Sequence, residues 1–176
     1  MVEPALARDR IQRLVEAAGE QLTGDWVLVG GALAALWFSP ERVTEDIDLI
    51  ALAERPDRRY ELMDFALAQG LPLETVNSAA DFFLRRVPGW TEELELLHAG
   101  PQARIFRPTA TLFLLLKIGR MSEADLGDCL GLLELAERTG LALDRTRVLA
   151  QLASLPEPES GPAARRRERL QGALGK

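Results

Sequence analysis

Apolar residues between positions 6 and 22 fall at Ile11, Leu14, Val15, Ala18 and Leu22, the three- and four-residue spacing of one helix face. This predicts an amphipathic helix packed on a core and ended by Thr23, Gly24 and Asp25. The pattern then changes. Residues 26–29 are apolar without interruption and read as a short buried strand, and residues 32–38 are apolar on every side and read as a buried helix stopped by Ser39 and Pro40. Residues 42–52 form a second strand. Pro56 suits the first turn of a helix running to Gly70, with Tyr60, Met63 and Leu67 on its inner side.

Residues 71–107 carry the least regular pattern. Strands are expected within 73–76, 82–87, 94–97 and 104–106, with Pro88 and Gly89 as a turn, and their order in a sheet stays open. Beyond Pro108 the period is helical again. Residues 112–116 are too apolar for a surface helix, and Lys117 and Arg120 arrive at its end, where cations complement the helix dipole. A second helix starts at Ser122, buries Leu126, Cys129, Leu130 and Leu133, and closes at Gly140. Asp144 caps a last helix carrying Val148, Leu149, Leu152 and Leu155. The Pro, Glu, Ser and Gly of 156–162 read as a flexible linker before a basic tail with Arg165, Arg166, Arg167 and Arg169. The expected organisation is an α/β (α+β) core over 1–107, with a small mixed sheet flanked by helices. A C-terminal helical region over 108–155 and a flexible linker and basic tail over 156–176 follow it.

Composition narrows the chemistry. With 47% hydrophobic and 27% charged residues and no apolar run long enough for a membrane, the chain reads as a soluble globular protein. Met1, Val2, Glu3 and Pro4 lack the basic and apolar regions of a signal peptide, so cytoplasmic residence is expected. One cysteine, Cys129, excludes an intrachain disulfide and a cysteine-based zinc site, and one histidine, His98, leaves little for imidazole chemistry. Carboxylates remain. The net charge of −6 argues against broad nucleic-acid binding, though not against a local basic groove.

Two acids stand out. On a strand, Asp46 and Asp48 share a face, opposite Ile47 and Leu49. Carboxylates about 6 Å apart repel by roughly 1 kcal/mol in water and about 3 kcal/mol at an effective dielectric of about 20. Arg42 is the one cation in the stretch, whereas Mg²⁺ takes one or two carboxylates together with phosphate oxygens. Upstream, Gly30 and Gly31 stand between strand and helix, where main-chain N–H groups and the helix N-terminus can receive a phosphate. Cation and anion sites would then lie side by side.

The glycine pair opening a helix, followed by Thr44, Glu45, Asp46, Ile47 and Asp48 on a strand, resembles the signature of the DNA polymerase beta-like nucleotidyltransferase superfamily. The form Gly-Gly-Ala with Asp-Ile-Asp-Leu is most similar to its small bacterial branch of minimal nucleotidyltransferases and abortive-infection toxins. The resemblance implies a nucleotidyltransferase-like sheet and Mg²⁺, two ions in an active enzyme, held by Asp46 and Asp48. It implies transfer of a nucleotidyl group from an NTP such as ATP to an RNA or protein acceptor, with pyrophosphate released. The partner would be an antitoxin or another protein, with no membrane involved. A third carboxylate would come from Asp81, Glu93 or Glu95, of which Glu95 is carried forward as catalytic. Gly30, Gly31, Thr44, Lys117 and Arg120 would bind nucleotide.

Lys117, Arg120, Asp125 and Asp128 make a second constellation, similar to a Lys…Arg…Asp-x-x-Asp segment of the toxin relatives. A structural reading stands beside it: Asp125 completes a capping box with Ser122, and the cations answer the helix dipole. Ser39, Thr44 and Arg42 can position phosphate, His98 reads as a surface residue, and Trp90 as a core anchor or a base-stacking ring. The alternative functions are a nucleotide sensor or partner subunit without turnover and an unrelated metal-dependent hydrolase.

Overall fold

The computed structural model describes residues 5–53, 55 and 57–176. The expectations for Met1 to Pro4 and for Pro56 lie outside them. The chain divides into two compact units, residues 1–108 and residues 109–176.

In the first unit the amphipathic pattern becomes α1 (Arg8–Gln21), which buries Ile11, Leu14, Val15 and Ala18 against β5 (Ala103–Pro108) and β4 (Leu94–Ala99). The apolar run becomes β1 (Gly24–Val29), and the glycine pair opens α2 (Gly30–Trp37) directly behind it. Next come β2 (Ile47–Ala51), α3 (Arg58–Ala68), β3 (Val76–Asn77) and the single turn α4 (Asp81–Leu84). The five strands form one sheet in the order β3-β2-β1-β5-β4. β1 runs antiparallel to β2 and parallel to β5, so the sheet is mixed.

Several expectations change. The strand over 42–52 is shorter, because Thr44 pairs with Leu6 outside the sheet while Ile47 enters it. The strand expected over 82–87 is the helical turn α4. There Leu84 alone is buried, Phe82 and Phe83 face outward, and Arg85 returns a 2.8 Å ion pair to Asp81 one turn back. On α3 the inner face is Leu62, Phe65 and Ala66, while Tyr60 and Leu67 are exposed. The helix is phased by Arg58 and Glu61, both tied to Thr23 just ahead of β1.

The second unit holds α5 (Ala110–Ile118), α6 (Glu123–Thr139), α7 (Arg145–Ser154) and α8 (Gly161–Leu174). The expected basic tail is therefore a helix. Ser160 caps it, Pro162 sits in its first turn, and Leu170 and Leu174 give it a buried edge.

Lys117 and Arg120 meet Asp125 and Asp128 in this unit. Lys117 Nζ donates to Asp125 Oδ1 at 3.0 Å and to Asp128 Oδ2 at 2.8 Å, with all three side chains buried. Arg120 Nε reaches Asp125 Oδ2 at 2.9 Å from the surface, and Ser122 and Asp125 form the reciprocal capping box. Burial works to raise the Asp125 pKa, but bonds from Arg120, Ser122 and Lys117 outweigh it and hold the carboxyl well below its usual range. Burial beside the same acids pushes the Cys129 thiol up to about 12, leaving it an inert core group.

A depressed folded-state pKa adds stability that is present above the unfolded value of about 3.9 and is lost as pH falls through the lower folded value. Thermal melts of wild type and Asp125→Asn should therefore differ at pH 7, keep that difference down to about pH 4, and converge only as pH falls on through the lower folded value. Lys117→Met, which leaves two buried carboxylates without their ammonium, should cost about 3–5 kcal/mol by denaturant unfolding at pH 7.

Candidate functional site

The site grows from the end of β1. Val29 pairs with Asp48 across the antiparallel β1–β2 ladder, so the carboxylate stands beside the point where the chain leaves the sheet for α2. Gly30 makes that exit with φ +74°, in the left-handed region. A Cβ on Gly30 would lie 2.7 Å from Asp48 Oδ2, and one on Gly31 would lie 3.1 Å from both Thr44 Oγ1 and Arg42 Nη2. Side chains from the β2 segment are thus packed directly over two bare backbone units. α2 carries no side-chain cap at its N-terminus, which leaves helix N–H groups and the positive end of its dipole at the same place.

Asp46 lies just ahead of β2 and is exposed, and its Oδ1 accepts from Thr44 Oγ1 at 3.2 Å. Arg42, Thr44 and Asp46 line an adjoining cavity of about 460 Å³, together with Glu45, Glu74 and Thr75. The structure therefore brings together Gly30, Gly31, Arg42, Thr44 and Asp48, with Asp46 bonded to Thr44. Glu74 is the cavity acid that the sequence did not single out. It arrives on the approach to β3, whose pairing beside β2 no spacing in the chain announces.

Glu95 is not part of this group. Through the register, Asp48, Val29, Val27 and Phe106 share one face of the sheet. Leu96 is opposite Phe106, and Glu95 is opposite Arg107, so the Glu95 side chain leaves from the other face. There it pairs with Arg107 at 2.5 Å, and the Arg107 guanidinium lies 3.8 Å over the Trp37 ring. The structure thus sets Glu95, expected as the third catalytic acid, apart from the Asp48 group. Asp81 is bound to Arg85, and Glu93 sits in the 3₁₀ turn Trp90–Glu93. Among the described residues no group of three or more His, Cys, Asp or Glu is gathered as a metal site.

Lys117, Arg120, Asp125 and Asp128 belong to the second unit, where Lys117 already has two carboxylate partners. His98 packs on Gly19 of α1, and the Trp90 ring lies under Arg85. Ser39 receives a backbone role, its carbonyl accepting from Arg42 N.

Neither a family model nor a curated protein matches the chain. A solved structure does: an antigenic nucleotidyltransferase-like protein from Paracoccidioides brasiliensis, at 17% identity and a TM-score of 0.58. The match covers 98% of this chain and 95% of that one. The fold is nucleotidyltransferase-like. That fold spans both units, and its mixed sheet carries the glycine exit and Asp48 at one end. Among the described residues no helix is long and apolar enough to cross a membrane.

If the glycine exit is a fitted receptacle, filling it should show. Gly30→Ala combines a left-handed φ, worth about 1–2 kcal/mol of strain, with a displaced Asp48 carboxylate. It should lower stability by roughly that amount in denaturant titrations.

Proposed function

We propose that this protein is a Mg²⁺-dependent nucleotidyltransferase that uses the α2 N-terminus and the acids of the β2 segment to hold an NTP. The observation that carries the reading is the placement of Asp48 Oδ2 directly against Gly30, beside the uncapped start of α2, so that an anionic oxygen and bare helix N–H groups lie together. Two carboxylates with phosphate oxygens and water are a sufficient ligand set for one Mg²⁺. The donors gathered here suit one such ion better than two.

Each residue has a share in the work. The Gly30 and Gly31 backbone and the uncapped start of α2 receive phosphate oxygens without a Cβ in the way. Thr44 orients the Asp46 carboxylate through its hydroxyl, and Arg42 brings a guanidinium to the same spot beside Gly31. Asp46 and Asp48 would hold the cation, which when bound neutralises the triphosphate and polarises the α-phosphate. An acceptor hydroxyl oxygen then bonds to the α-phosphorus, giving its proton to solvent, in line with the departing pyrophosphate, whose bridging bond breaks. RNA and protein hydroxyls are both suitable acceptors.

A second reading has its own observation. Because Glu95 projects from the opposite face, the protein could bind nucleotide through the same residues and turn none over.

Incubation of the full chain with α-labelled NTPs, Mg²⁺ and a mixture of RNA and protein acceptors, beside calorimetry with ATP, separates these. Transfer of label with pyrophosphate release, falling at least a hundredfold in Asp46→Asn and Asp48→Asn, is the expected result. Saturable ATP binding without release across all acceptors supports the sensor, and transfer that survives both substitutions removes the proposed site.

A further inference from the structure

The first unit holds another cavity, of about 510 Å³, which takes in Trp26 of β1 and the Ala51 end of β2. Trp26 and Ala51, which line it, pair three positions along the ladder from Val29 and Asp48, about 10 Å away at roughly 3.3 Å per residue. Arg55, Arg58, Arg59 and Arg85 also line it, against a single carboxylate among the described residues, Asp81. In a chain of net charge −6 this gathers guanidinium groups against the overall balance.

The accounting of partners leaves cations over. Asp81 is bound to Arg85 at 2.8 Å, and Glu61 to Arg58 at 2.6 Å. Arg55 and Arg59 are exposed and have no ion pair among the described residues. Arg58 Nε is buried with no hydrogen-bond partner, the one such side-chain atom among the described residues. A buried guanidinium N–H without an acceptor is costly, and an anion's oxygen would satisfy it. The site is also built rather than loose: Arg58 Nη1 is fixed by the Thr23 carbonyl and hydroxyl, and its guanidinium lies 5.3 Å over the Trp26 ring. Arg85 Nη2 donates to the Ala51 carbonyl at 3.0 Å, and Arg85 covers Trp90. Arg58 is the first residue of α3, whose cap position Asp57 makes no side-chain cap, so the positive helix end adds to the same field.

We propose that this cavity is a second site, independent of nucleotidyl transfer, that binds a phosphate group bearing two or more negative charges. Planar guanidinium forks match phosphate oxygens in pairs, and several converging arginines with a helix N-terminus favour the dianion over a carboxylate. Trp26 is fully buried beneath Arg58, so recognition is of the charged group rather than a stacked base. The source of that group is either a free polyphosphate or the 5′ end of an RNA.

The test uses the full chain in EDTA, which silences any cation-dependent binding at Asp48, with pyrophosphate as probe and tryptophan fluorescence beside calorimetry as readouts. Trp26 and Trp90 each lie under a cavity arginine and report occupancy. Saturable binding is expected, weakened at least tenfold in Arg59→Glu and in Arg55→Ala, and unchanged in Asp48→Asn. Melting temperatures should stay near wild type, because both arginines are exposed. Oligoribonucleotides of one sequence, with and without a 5′-phosphate, identify the source: a gain of tenfold or more from the phosphate assigns it to RNA, and its absence beside pyrophosphate binding assigns it to a free polyphosphate. No saturable binding of either probe, binding indifferent to Arg59→Glu, or binding lost in Asp48→Asn would each overturn the second site. Failure here leaves the transfer reading untouched, since the two depend on different residues.

Discussion

A carboxylate oxygen lying 2.7 Å from where a Cβ of Gly30 would stand, too close for one to fit unmoved, is the constraint around which the first unit is arranged. The contact requires a left-handed φ at the exit of β1, which glycine adopts without the cost that other residues bear. It also requires β2 to run antiparallel to β1 in the one register that sets Asp48 opposite Val29. A one-residue slip would send Asp48 to the other face and bring Ile47 out of the core. The burial of Ile47 and Leu49 therefore fixes the register, and the register fixes the site.

This dependence explains what could be read in the chain. Gly30 and Asp48 were legible because each announces itself locally: a strand, a helix and the glycines between them in consecutive residues, and an acid alternating with core residues. The face of Glu95 was not legible, since it depends on two further ladders, β5 on β1 and β4 on β5, that no local spacing encodes. α3 shows the same limit on a smaller scale. Two helical faces, one with Tyr60 and Leu67 and one with Leu62 and Phe65, both satisfied the period, and the choice fell to the distant tie of Arg58 and Glu61 to Thr23. Residues 82–87 read as strand from apolar content alone, but Phe82 and Phe83 stay in solvent and the backbone closes on itself.

Charge is distributed with the same economy in both units. In the second, two carboxylates are buried because an ammonium and a guanidinium meet them, and the sequence reading of Ser122 and Asp125 as a reciprocal cap describes the arrangement found. At the Arg58 end of the sheet, by contrast, cations outnumber carboxylates among the described residues lining the cavity, and the four arginines come from positions whose spacing carries no motif.

The proposed convergence of cation and phosphate binding at the Gly30 exit is tested most directly by Mn²⁺ used in place of Mg²⁺, with a non-hydrolysable NTP and amide NMR of the full chain. Paramagnetic broadening should be strongest at Gly30, Gly31, Asp46 and Asp48 and should require both metal and nucleotide for its full extent. Broadening centred on Glu95, or spread over exposed acids with the Gly30 and Gly31 signals sharp, would contradict the account.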